Sequence, residues 1–140
     1  MSRRTTLALV GVLLSLGLAT GCSNGDPQVD QLREDPLITR TLPGLEEKQL
    51  FGQIGFTSFG TEQPATLTRL LRTTTREVTA DDLSDAAVEA GNEGWTVEPG
   101  ADGSWVGSKR IGGRPVDLTI DRARSPLYGR VLALVLTERR

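Results

Sequence analysis

Between Val116 and Asp121 the side chains alternate strictly, with Val116, Leu118 and Ile120 apolar and Asp117, Thr119 and Asp121 polar. A period of two puts the apolar groups on one face of a strand and leaves the other face wet. After the turn-forming stretch RARSPLYG, residues 131–136 read VLALVL, apolar at every position. A strand with no wet face belongs inside a sheet covered on both sides, or beneath a partner. One hairpin therefore commits the C-terminal third of the chain to an antiparallel sheet with an interior strand.

The segments upstream extend that sheet. Trp95–Glu98 and Ser104–Ile111 read as strands separated by PGADG, and Ile111-Gly112-Gly113-Arg114 is a tight turn into the alternating strand. Residues 79–94, TADDLSDAAVEAGNEG, form a helix: Thr79 caps its start, and Asp81, Asp82 and Asp85 suit the positive end of its dipole. Leu83, Ala86, Ala87 and Ala90 fall on one stripe, and Gly91 or Gly94 ends it. Ala65–Val78 suits either a strand or a helix; its threonines and the Arg69/Leu71 alternation favour the strand. The expected fold is α+β: β-α-β-β-β-β, one helix packed on an antiparallel sheet of four to five strands. Leu50–Gly60, LFGQIGFTSFG, holds all three phenylalanines, Phe51, Phe56 and Phe59. It is expected to cover the sheet face that the helix leaves open, or else to present an aromatic patch to a lipid, glycan or protein.

The N-terminus carries an address. Arg3 and Arg4 are followed by an uncharged, leucine-rich run to Thr20, and the segment closes on Leu18-Ala19-Thr20-Gly21-Cys22. The layout is that of an export signal, a basic end followed by an apolar centre and small residues. Diluted by Gly11, Ser15 and Gly17, the run is shorter than the ~20 apolar residues of a spanning helix. The last five residues resemble the lipobox of bacterial lipoproteins, and residues 66–137 resemble, more loosely, the small lipoproteins of actinobacteria. The first resemblance implies removal of residues 1–21, lipid on the Cys22 thiol, and attachment to the extracytoplasmic face of the cell membrane. Residues 22–44, polar and carrying Pro27, Pro36 and Pro43, are expected to be a flexible tether reaching roughly 25 Å. Residues 45–140 are then the folded domain. Cys22 is the only cysteine in the chain, so no intramolecular disulfide can form.

The chain holds no histidine, which removes the usual general base and the commonest zinc ligand. With Cys22 lipidated no thiol nucleophile remains, and no phosphate-cradling glycine loop occurs. Asp117 and Asp121 lie roughly 13 Å apart along a strand, too far for a glycosidase pair. GADGSW has one acid where a calcium loop needs several. No catalytic residue, metal or cofactor is therefore expected. Trp95 and Trp105 flank the PGADG turn; they could stack on a sugar, though packing the helix onto the sheet is their commoner use. Residues 22–94 carry 6 basic and 13 acidic side chains, and residues 95–140 carry 8 and 5. That is no nucleic-acid binder. The expectation is a non-enzymatic envelope lipoprotein whose domain binds an envelope protein, with Phe51, Phe56, Phe59, Trp95 and Trp105 as candidate surface. A lipid- or glycan-binding lipoprotein is the alternative, and a hydrolase a more distant one.

Overall fold

The computed structural model describes residues 27–53, 55–58 and 60–139. Cys22 and Phe59 lie outside the described residues. Six strands form one antiparallel sheet: β1 (Leu45–Gln53), β4 (Thr66–Thr73), β5 (Thr96–Pro99), β6 (Trp105–Ile111), β7 (Arg114–Ser125) and β8 (Gly129–Glu138), in the order β1-β4-β8-β7-β6-β5. Short β2 (Phe56–Ser58) and β3 (Thr61–Gln63) pair with each other only. β8, which holds the all-apolar residues 131–136, lies between β4 and β7, inside the sheet as expected, but helices cover one of its faces rather than both. Within residues 65–78, Thr66–Thr73 is strand, as favoured, and the remainder is not helical. The sheet thus has one strand more than the four to five expected, because β1 joins its edge.

Helix α3 (Ala80–Asn92) connects β4 to the far edge strand β5 and crosses the sheet in doing so. Its stripe, Leu83, Ala86, Ala87 and Ala90, is buried against Leu118, Ile120, Leu132, Leu134 and Leu136. The helix ends as its glycine predicts: Gly94 takes φ +91°, and the Trp95 N–H donates back to Ala90 O at 3.0 Å.

Two expectations are corrected here. Residues 27–43 are not a tether. Pro27–Arg33 forms α1 and Pro36–Thr39 forms α2, and Val29, Leu32, Leu37, Ile38 and Leu42 enter the same core as α3. Such short helices are not stable alone and exist because they are packed. Nor does the start of the Phe segment lie over the second sheet face, since residues 50–53 belong to β1 itself. Register explains the side chains. Leu45 and Glu47 oppose the inward-facing Thr73 and Leu71 of β4, but a bulge follows, after which Leu50 opposes inward-facing Arg69. One extra residue reverses the alternation. Leu50 therefore packs against the core, and Phe51 turns to the opposite face, 44% exposed.

The described residues are thus two-layered, with the three α-helices on one face. On the other, the register aligns one residue from each strand: Phe51, Thr68, Val135, Thr119, Val106 and Glu98. A second row reads Gln53, Thr66, Thr137, Asp117, Ser108 and Thr96. No helix among the described residues covers these rows.

Candidate functional site

Phe51 does not share a face of the sheet with Trp95 and Trp105. Phe51 stands on the open face of β1, and Phe56 is in the small β2–β3 hairpin. Trp105 is half-buried against the core on the helix-covered face. Trp95 is 4% exposed and is corrected from candidate surface to core. Its indole explains the burial. Nε1 donates to Asp35 Oδ1 at 3.2 Å, and Lys109 Nζ lies 5.7 Å from the ring centroid.

Asp35 is the centre of a polar knot that the sequence reading missed. Its side chain, 2% exposed, accepts from Leu37 N at 3.0 Å, capping α2, and from Lys109 Nζ at 2.6 Å. Lys109 also donates to Glu93 O at 2.8 Å, at the C-terminal end of α3 where a cation is favoured. One carboxylate thereby ties α2, the end of α3 and β6 together. Asp35-Pro36 is a helix-start signal, so the cap was legible; Lys109 and Trp95, 74 and 60 residues away, were not.

Arg69 is a buried cation, donating through Nε to Glu47 at 2.7 Å and through a terminal nitrogen to Leu37 O at 2.9 Å. It lies under an open groove of about 590 Å³ between α2 and β1, where Arg33, Thr39, Glu46, Glu47 and Leu50 also reach the surface. The Arg69 contacts run to the domain's own backbone and side chain, so this cation holds α2 against β1 and β4.

At the start of α3, Asp82 receives Arg76 at 2.6 Å on each oxygen and the Thr79 N–H at 2.7 Å. Arg76 beside it holds this carboxyl down to about 2, against the opposing effect of burial. Among the described residues no three His, Cys, Asp or Glu side chains gather as metal ligands, and no helix is long and apolar enough to cross a membrane.

The class this architecture defines is α+β, a six-stranded antiparallel sheet carrying three helices on one face. No family model matches the chain, and neither a curated protein nor a solved structure matches it.

Proposed function

We propose that this chain is a lipoprotein held at the extracytoplasmic face of the cell membrane by lipid on Cys22, and that its domain is a non-enzymatic module binding an envelope protein. The anchoring rests on Leu18-Ala19-Thr20-Gly21-Cys22 behind a basic, then apolar, leader. Two or more acyl chains suffice for stable attachment, at ~0.8 kcal/mol per buried CH₂. With α1 beginning at Pro27, only residues 23–26 separate the anchor from the first helix.

The binding role rests on one observation, the open sheet face. Its rows mix hydroxyls (Thr66, Thr68, Thr96, Thr119) with Val106, Val135 and Phe51, and Asp117, Asp121 and Glu98 lie on the same side. Mixed apolar and hydrogen-bonding surface of this kind suits a protein interface. The acids disfavour an anionic lipid surface. The test is crosslinking on intact cells carrying a tagged copy, with mass spectrometry of the products and Cys22→Ala as control. The expected result is one envelope protein recovered with the parent chain and lost when Thr119→Arg and Val135→Arg are introduced together. Recovery that ignores those two changes overturns the assignment of the face. A Cys22→Ala chain that stays membrane-bound overturns the anchor.

A further inference from the structure

The register shows where the basic residues of the C-terminal half go. β8 loses β4 after the Leu71–Leu132 pair, and β7 loses β6 after the Trp105–Ile120 pair. The two strands nevertheless stay paired out to Ser125–Gly129. Beyond the sheet they form a two-stranded arm, closed by Pro126-Leu127-Tyr128. Ser125 Oγ accepts from Leu127 N and Tyr128 N, both at 3.2 Å, and Gly129 takes the positive φ (+72°) that such a loop requires. Leu127 at the tip is 78% exposed, the most exposed large apolar side chain among the described residues.

Two of the arm's three arginines have no ion pair among the described residues, and the third has only an exposed one. Arg124 and Arg130 stand directly opposite each other and Arg122 shares their face. Like charges directly opposite each other on a ladder are destabilising. Arg122 and Arg124 make no ion pair among the described residues, and Arg130 only approaches the exposed Glu77 at 3.4 Å. An arm built in this way is suited to an acidic site with an apolar centre.

The same chain carries one. Beside α3 lies a hollow of about 200 Å³ floored by Leu42, Leu45 and Ala86, with the 60%-exposed Val88 at its margin and Asp85 and Glu89 on its rim. These two acids are four residues apart on one helix face, a like-charge spacing that costs stability, and neither has an ion pair among the described residues. Asp82, the third acid there, is already occupied by Arg76. The hollow is below the ~300–1,000 Å³ of small-molecule sites and is of side-chain size.

We propose that the occupant is a second copy of this chain: Leu127 of one copy enters the hollow between α3 and residues 42–45 of another, with Arg122 and Arg124 meeting Asp85 and Glu89. Arm and hollow are different surfaces, so two copies close the contact only as a two-fold pair in which each gives one arm and receives one. Docking relieves both like-charge pairs and removes two exposed apolar groups, Leu127 and Val88, from water. The contact is independent of what Cys22 carries and of what the open sheet face binds.

The test uses the full chain in detergent, with mass from sedimentation and light scattering. Twice the monomer mass is expected at about 0.1 M salt. It should weaken at about 1 M, where the Debye length shrinks to about 3 Å. Arg122→Glu with Arg124→Glu, or separately Asp85→Lys with Glu89→Lys, lowers the association constant by about 100-fold or more, since like charges now face each other. Arg122, Arg124 and Asp85 are exposed, Glu89 is partly exposed, and none holds an internal ion pair among the described residues, so each variant keeps the parent's circular dichroism. Mixing the two variants restores association, because the reversed arm fits the reversed hollow. In a Cys22→Ala background, Leu127→Cys mixed with Val88→Cys gives an interchain disulfide. A monomer at every salt concentration overturns the proposal, as does association through the N-terminal segment that ignores both reversals. Loss of phosphatidylglycerol-vesicle binding in the arm variant, with no self-association of the parent, overturns it in favour of a lipid surface.

Discussion

Replacing Asp35 by alanine removes three interactions at once, and their sizes can be worked from the geometry. The cap on Leu37 N is worth about 1 kcal/mol. The Trp95 indole N–H, inside a residue 4% exposed, loses its acceptor at about 1–3 kcal/mol. Lys109 loses its counter-ion; breaking a fully buried pair costs about 3–5 kcal/mol. The Lys109 side chain is 21% exposed and keeps Glu93 O, so its share falls well below that range. The three overlap, and we expect Asp35→Ala to cost about 3–4 kcal/mol. With a urea m-value of about 1–3 kcal/mol/M, the midpoint moves down by at least about 1 M. Asp35→Asn keeps an oxygen for Leu37 and Trp95 and loses only the charge, so it should cost about half as much. The assay is urea unfolding followed by tryptophan fluorescence and by circular dichroism, with Lys109→Met completing a double-mutant cycle. A cost for Asp35→Ala below about 1 kcal/mol, or an Asn variant as damaged as the Ala variant, would refute the view that this carboxylate docks the N-terminal helices.

Two further predictions follow from single positions. Asp82 has its folded pKa depressed to about 2 from 3.8, so its contribution is complete above the unfolded value and is lost as pH falls from about 4 to 2. The shift corresponds to about 2 kcal/mol; because the Arg76 side chain is 54% exposed and screened, we expect about 1. Asp82→Asn should remove that much acid sensitivity in a pH series of urea melts, and an unchanged pH profile would count against the pairing. At Gly52 an added Cβ would lie 2.5 Å from Val29 Cγ1, so Gly52→Ala should push α1 off β1 at a cost of about 1–3 kcal/mol. Faster amide exchange in residues 27–33 than in β7 and β8 would localise the damage; uniform loss across the domain would contradict it.

Much of the C-terminal two-thirds could be read from the chain itself. The alternation at 116–121 and the unbroken VLALVL report burial directly, because a strand's period is local and each position's polarity states which face it occupies. Thr79, the first-turn acids and Gly94 mark α3 at both ends for the same reason. Among the candidate surface residues, Phe51 is exposed as the sequence allowed, whereas Trp95 is not, because its acceptor Asp35 is 60 residues away and no pattern within a window joins them.

By itself, then, the sequence determined the hairpin of β7 and β8, the helix before it and the absence of histidine and of any intramolecular disulfide. Only the tertiary structure decided that residues 27–43 belong to the domain, since helices of 7 and 4 residues have no stability until a core accepts them. It also decided which way Phe51 points, because one bulged residue in β1 reverses every side chain after it, and a bulge is defined by the partner strand. Likewise the charge imbalance between the halves is plain in the chain. That it becomes an arginine arm and an acid-rimmed hollow follows from strand pairing and helix packing, which place like charges beside one another and leave Arg122, Arg124, Asp85 and Glu89 without an ion pair among the described residues.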